Sequence, residues 1–479
     1  MIDYDNLSLL ADFYEFSMGN GFLDNGDIDS IAYFDMYFRK VPDDGGFAIF
    51  AGLEQVINYI ENLRFTNEDI EFIRKNSNFS EDYLNYLENF EFSCDVWSFE
   101  EGETVYPNEP LMIIRGPIIQ VQLMETLILL TLNHQSLIAT KTKRIVNSAE
   151  GRPVVEFGSR RAQGYSASLY GARASYIGGC IGTSNTLASK IFDIPALGTM
   201  AHSWVQFYEN EYEAFKNYAK TYPDNCNLLI DTYDTLREGL PNAIKVFKEE
   251  VVAKGYRPAG VRIDSGDISY LSKKVRKILD EEGFEDVKIM ASNSLDEDII
   301  RSLIRQNAKV DIFGVGERLI TAKSDPVFGG VYKLVAIEKN GVIVPKIKIS
   351  ENVDKITTPG FKQVYRFYSN DDCSPMADLV CLHEEKYEDT DEIEIFHPVH
   401  TWKRQILMDY TAKPMLKRIY NQGKLVYELP TIHEIKEKCE KAVGVLWDEQ
   451  KRLEYPHKYY VDLSEKLWNL KDELLKKER

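Results

Sequence analysis

His202 lies in Gly198-Thr199-Met200-Ala201-His202-Ser203, directly after a short apolar run, where an imidazole can serve as nucleophile or general base near neutral pH. A lone histidine is also often structural; the other six, at positions 134, 383, 397, 400, 433 and 457, fall outside the pattern described below. In Val261-Arg262-Ile263-Asp264-Ser265-Gly266-Asp267 the strand alternation sends Arg262 and Asp264 to one face. Carboxylates there can accept ribose hydroxyls or hold Mg²⁺ through water, and the guanidinium can clamp a phosphate; a buried Arg–Asp brace is the competing reading. Arg160-Arg161 also follow an apolar run, and one guanidinium fork there can bind a carboxylate with two hydrogen bonds, unless the pair only solubilises the surface. Gly314-Val315-Gly316 leaves backbone N–H groups open to an anion such as a phosphate monoester, or is simply a tight turn. Cys373, Cys381 and His383 make at most three ligands of a four-ligand zinc knuckle. His397 and His400 have metal-like spacing without a completing thiol or carboxylate, so no metal ligand is assigned.

These residues need a scaffold that brings strand ends together. From about residue 150 the chain shows seven apolar runs, at 153–157, 179–182, 194–198, 227–231, 260–264, 287–291 and 310–314, with helical patterns at 269–282 and 295–307. This rhythm predicts α/β architecture: a parallel α/β barrel or a doubly wound sheet. Several runs end in polar or Gly-rich groups (158–161, 199–203, 231–234, 264–267, 292–294, 314–316), which a barrel gathers at one mouth. The expected organisation is an N-terminal α+β domain at 1–149, the barrel at 150–338 and a C-terminal domain at 339–479. The first contains a helical start at 7–19, two short strands around Glu101-Gly102 within 94–117, and a helix at 119–132. The last begins at a hairpin, with Asn340-Gly341 turning between 332–338 and 342–349, and ends in two helices reaching Arg479.

Composition narrows the function. The 479 residues carry 57 Lys+Arg against 76 Asp+Glu, net −19, which excludes a surface built to grip nucleic acid or anionic lipid but not a small basic pocket. The segment 141–161 holds six basic residues against two acidic ones, a candidate for that pocket. Met1 to Leu10 carry Asp3 and Asp5 and no Lys or Arg, unlike a secretory leader. The apolar stretch 123–132 is short and contains Glu125, so no membrane span is expected. Six scattered cysteines without a C-x-x-C pair fit reduced thiols and a cytoplasmic location.

Taken in order, seven segments resemble the nicotinate phosphoribosyltransferases. They are Leu10-Ala-Asp-Phe-Tyr-Glu-Phe-Ser-Met18, Glu156-Phe-Gly-Ser-Arg-Arg-Ala-Gln-Gly164, Gly198-Thr-Met-Ala-His-Ser203, Asp231-Thr-Tyr-Asp-Thr235, Val261 to Asp267, Ala291-Ser292-Asn293 and Phe313-Gly-Val-Gly316. The resemblance implies an irregular type II phosphoribosyltransferase barrel flanked by N- and C-terminal domains, and a homodimer with shared active sites. It implies ATP-coupled synthesis of nicotinate mononucleotide and diphosphate from nicotinate and 5-phosphoribosyl 1-diphosphate, with Mg²⁺ and with His202 as the phosphohistidine. Tyr14 would stack on nicotinate from the neighbouring subunit, and Arg160, with Arg161, would pair with its carboxylate. Asp231, Arg262 and Asp264 would hold the ribose diphosphate and Mg²⁺; Gly314 and Gly316 would bind the 5′-phosphate. Thr199, Ser203, Asp267, Ser292 and Asn293 belong to the same substrate-binding segments. At Gly182-Thr183-Ser184 the related nicotinamide enzymes place an aspartate that would repel a carboxylate, whereas Ser184 can donate to one; this favours nicotinate over nicotinamide, with the nicotinamide and quinolinate enzymes as alternatives.

Overall fold

Five of the seven expected runs form one parallel sheet in the computed structural model, which describes residues 6–352, 355–388 and 390–477. Asp3, Asp5 and Arg479 lie outside the described residues. Across this sheet the strands run Val154–Glu156, Ile312–Val315, Lys288–Ser292, Gly260–Ile263 and Asn227–Leu229. The runs at 179–182 and 194–198 shrink to single parallel bridges, Glu156 to Thr183 and Thr183 to Ala196. Pro195 has no N–H to give a ladder, and Gly182 sits so close to the Pro195 carbonyl that a Cβ would lie 2.5 Å from its oxygen. Among the described residues no ladder joins Ala196 to Asn227–Leu229, so the hydrogen-bonded sheet is open where a barrel would close.

Because all these segments are parallel, their C-terminal ends share one edge. Val261 and Ile263 are buried in a core with Leu228, Leu229 and Ile289, and with Val275 and Leu279 of the helix Ile268–Glu281; Arg262, between them in sequence, faces the other way. Each such apolar side chain contributes roughly 1.5–3 kcal/mol on burial. The helices Ile268–Glu281 and Glu297–Arg305 start where Asp267 and Asp296 cap them, accepting from the Tyr270 and Ile299 N–H groups at 3.0 and 2.9 Å.

The chain divides into two compact units, Ile138–Pro326 and a second built from Met1–Leu137 with Val327–Arg479. Most of the expected N- and C-terminal domains, 1–149 and 339–479, thus falls within one compact unit, because sheet pairing ignores sequence distance. Val331–Lys339 pairs antiparallel with Ile31–Tyr37, and Lys417–Asn421 pairs with Asp95–Ser98 in the same seven-stranded sheet. The hairpin through Asn340 (φ 52°) and Gly341 (φ 75°) joins Val331–Lys339 to Val342–Pro345 as its turn residues predict. The first helix begins later than expected, at Phe13–Asp24, and the helix expected at 119–132 is broken into Ile118–Gln122 and Glu125–Ser148. Within 94–117 there are three strands rather than two, Asp95–Ser98, Thr104–Val105 and Met112–Pro117. The closing helices are Ile432–Gly444 and Glu465–Lys477. No helix of the described residues is long and apolar enough to cross a membrane.

Candidate active site

At the shared edge, two strand ends and one helix start converge on His202. The ring begins the helix His202–Phe207; its Nδ1 lies 3.1 Å from Thr232 Oγ1 and its Nε2 3.8 Å from Asp264 Oδ2. Asp264, just past the strand Gly260–Ile263, also accepts a short hydrogen bond from the Ser292 hydroxyl at the end of the neighbouring strand. Its backbone N–H donates to Asp231 Oδ2 at 2.9 Å, and the Ser265 hydroxyl donates to the same oxygen at 2.6 Å. Asp231 is only 8% exposed, and its other oxygen, Oδ1, is buried with no hydrogen-bond partner. A carboxylate oxygen left so is costly unless something else coordinates it.

Arg262 reaches across to the segment before His202: Nη1 donates to Thr199 Oγ1 at 2.6 Å and Nη2 to the Met200 carbonyl at 3.0 Å, while Nε is buried without a partner. Burial pulls this guanidinium below the usual arginine range, and the charges of Asp264 and Asp231 act against that. Arg160 is close enough for its positive charge to be felt at Arg262. The contacts therefore join His202, Asp231, Arg262, Asp264, Ser292 and Thr199.

The other sequence-predicted residues do not bond into that cluster, and Tyr14 lies outside this unit. Arg160 and Arg161 lie exposed on the short helical turn Ser159–Arg161, and Ser203 is exposed in the first turn after His202. Ser184 is exposed, its N–H donating to the Glu156 carbonyl at 2.9 Å. Asp267 is occupied as a helix cap. Asn293 and Ser294 carry φ of 77° and 55°, two consecutive left-handed residues directly after Ser292, the kind of strain that collects at functional loops. Gly314 and Gly316 both crowd Phe157: a Cβ would fall 2.7 Å from the Phe157 ring at the first and 3.0 Å from its carbonyl oxygen at the second. Tyr14 belongs to the other compact unit, on the helix Phe13–Asp24, with 42% of its surface exposed; burial and Glu125 push its hydroxyl well above the usual tyrosine range.

One expectation holds only in part. Only the end of the basic segment 141–161, Arg160 and Arg161, stands exposed at the edge; Lys141 is 3% exposed and donates to Glu297 Oε1 at 2.7 Å, and Arg144 Nε donates to the same oxygen at 3.1 Å. Four participants carried no assigned role in the sequence. Thr232 and Ser265 sit in polar strand ends, and their hydroxyl partners are set by the fold. Glu156, fully buried, accepts from the Thr183 hydroxyl at 2.6 Å and from the Gly158 N–H, and burial raises its pKa; the signal was a carboxylate inside an apolar run. Glu211 is buried, and burial, opposed by a hydrogen bond from the Asn242 side chain and aided by the charges of Glu238 and Asp231, pushes it up to about 7.

A histidine at a helix start, two carboxylates and an arginine gathered at the C-terminal edge of a parallel sheet are the arrangement of an α/β enzyme site. Comparison with known proteins makes this specific. The nicotinate phosphoribosyltransferase N-terminal domain, family and C-terminal domain models match residues 9–133, 153–370 and 361–471. The chain is 44% identical to the nicotinate phosphoribosyltransferase of Bacillus subtilis over 98% of its length and 96% of that protein, and 34% identical to that of Dictyostelium discoideum over 96% and 87%. The crystal structure of human nicotinic acid phosphoribosyltransferase superposes with a TM-score of 0.85 at 28% identity, covering 97% of this chain and all of that one. The chain belongs to the nicotinate phosphoribosyltransferase family and is an enzyme of that family.

Proposed function

We propose that this chain makes nicotinate mononucleotide and diphosphate from nicotinate and 5-phosphoribosyl 1-diphosphate in NAD biosynthesis, in the cytoplasm, and that ATP hydrolysis is coupled through a phosphohistidine at His202. The observation carrying this reading is the pose of His202. Nδ1 lies within hydrogen-bond reach of Thr232 Oγ1, and the tautomer that donates Nδ1–H to that oxygen leaves the Nε2 lone pair at the edge of the site beside Asp264. In the coupling step Nε2 attacks the γ-phosphorus of ATP, the N–P bond forms, the P–O bond to ADP breaks and ADP leaves with the electron pair. Water later cleaves the N–P bond, releasing phosphate. In the transfer step the nicotinate ring nitrogen attacks C1 of the ribose as the C1–O bond to diphosphate breaks, through an oxocarbenium-like state that nearby carboxylates stabilise.

Asp231, with an unpartnered buried oxygen, and Asp264 beside it fit a hydrated Mg²⁺, which uses one or two carboxylates plus substrate phosphates rather than a full protein cage. Bound there, Mg²⁺ supplies charge neutralisation for the departing diphosphate. Arg262 and Asp267 flank the ribose diphosphate, with Thr199, Ser203, Ser292 and Asn293 around it, and Gly314 and Gly316 take the 5′-phosphate. Arg160, with Arg161, pairs with the nicotinate carboxylate; Ser184 donates to it; Tyr14 of a second copy stacks on the ring in a homodimer. We read the seven parallel segments as that family's irregular barrel.

The test is product formation by purified protein from nicotinate, nicotinamide or quinolinate, with and without ATP. Turnover of nicotinate alone, with a higher yield when ATP is present, is expected. Turnover of nicotinamide or quinolinate while nicotinate is ignored would overturn the reading.

A further inference from the structure

The unit containing residues 6–137 and 327–477 has a half-open cavity of about 380 Å³ beside the closing helix Glu465–Lys477, and this cavity shares no residue with the candidate active site. Strand Ile31–Tyr37 lends it Asp35 and Tyr37, two residues apart and so on one face. Lys362, 1% exposed, is fully engaged, donating to Asp35 Oδ2 at 2.9 Å and to the carbonyls of Thr358 and Gly360 at 2.8 and 2.6 Å. Asp35 Oδ1 is buried with no hydrogen-bond partner, and the buried Tyr37 Oη has the Arg39 guanidinium as its polar neighbour, 5.6 Å from the centre of the Tyr37 ring, which adds a further positive charge at this end of the cavity.

Lys471 enters the same cavity from the closing helix. Its ammonium donates to Thr358 Oγ1 at 3.2 Å, no carboxylate of the described residues pairs with it, and its neighbour Asp472 is paired with Lys476 at 2.5 Å. Burial, then the charge of Lys362, holds Lys471 down to about 8. The remaining wall is largely apolar and includes Pro110, Ile356, Leu463 and Trp468. A half-buried ammonium without its own counter-ion, facing a second cation, is disfavoured, and a bound anion relieves that penalty.

We propose that this cavity is a second ligand site, taking a small organic anion with a flat apolar body. Its carboxylate or phosphate sits on Lys471 and Tyr37 Oη, a ligand N–H or O–H reaches Asp35 Oδ1, and its ring lies against Trp468. The volume falls within the range of about 300–1,000 Å³ typical of small-molecule pockets.

The experiment titrates the full-length protein with 2-naphthoate and, separately, 2-naphthyl phosphate, following Trp fluorescence and binding heat, each with and without saturating nicotinate. Saturable binding of one probe per chain is expected, undisturbed by nicotinate and weakened about tenfold or more in Lys471→Met. Trp468→Phe should keep the heat and lose most of the fluorescence change, and the tighter probe identifies the preferred headgroup. Unliganded Lys471→Met should melt at or above the wild-type temperature and form nicotinate mononucleotide at the wild-type rate. Unchanged binding in Lys471→Met, displacement of the probe by nicotinate, or a clear fall in its melting temperature would each overturn the proposal and leave the active-site reading standing.

Discussion

Two arginines, one in each compact unit, face aspartates and differ in how completely they are satisfied. Arg366, 1% exposed, donates from Nε and Nη2 to Asp378 at 2.8 and 2.7 Å and from both Nη groups to Thr104, while the Tyr459 hydroxyl adds a third bond to Asp378 at 2.8 Å. Arg262 keeps a buried Nε without a partner, and Asp231, whose charge it feels, keeps a buried oxygen without one. Arg366 and Asp378 spend their own capacity on each other, Thr104 and Tyr459, although Glu109 and Tyr106 beside them keep an unpartnered oxygen each, whereas Arg262 and Asp231 lie at the strand ends with a donor and an acceptor of their own in reserve. Between these two Arg–Asp pairs, unmet hydrogen-bonding capacity on the arginine and aspartate themselves makes the distinction that burial and charge do not.

Isosteric changes on the two sides break this contrast if it is wrong. Asp231→Asn should lower kcat/KM for 5-phosphoribosyl 1-diphosphate by about 10³-fold, or ~4 kcal/mol, with the urea midpoint unchanged or raised. Asp378→Asn should do the reverse: it leaves the Arg366 charge buried and under-compensated, costing about 3–5 kcal/mol in urea unfolding, while kcat/KM per folded molecule stays near wild type. Arg160→Ala tests whether an exposed, unpaired arginine at the edge works as a clamp. The nicotinate KM should rise by about 10- to 100-fold with kcat less affected, and an unaltered KM would move the carboxylate contact elsewhere.

The smallest effect concerns Glu211. Its native pKa of about 7 lies above that of an unfolded glutamate, so the native state binds more protons between about pH 4.5 and 7 and stability falls as pH rises through that window. Glu211→Gln should flatten this slope, leaving the melting temperature at pH 4.5 unchanged and raising it at pH 8 by an amount corresponding to roughly 2 kcal/mol. A slope identical to wild type would show that the Glu211 carboxyl ionises freely.

Much of the site was legible because parallel strands make a sequence-local signal: an apolar run ending in polar residues marks the edge where His202, Asp231, Asp264 and Ser292 meet. The signal fails where a partner is distant in sequence. Lys141 and Arg144 read as pocket charge because Glu297, 156 and 153 residues away, cannot be matched to them by counting. The pairing of Lys417–Asn421 with Asp95–Ser98 is hidden for the same reason, so nothing in the sequence shows that the first and last thirds of the chain share a sheet. The break between Ile118–Gln122 and Glu125–Ser148 was invisible because apolar residues continue across it. Thr232 was noticed as a strand-end residue, but only the fold shows that its hydroxyl holds His202.

The most direct test of the account is labelling with [γ-³²P]ATP followed by acid and alkali treatment. Wild-type protein should incorporate an alkali-stable, acid-labile phosphoryl group at His202, Thr232→Val should label more slowly, and His202→Ala should neither label nor couple ATP hydrolysis to transfer while retaining some uncoupled product formation. Undiminished labelling of His202→Ala, or ATP-stimulated synthesis by it at the wild-type level, would contradict the account.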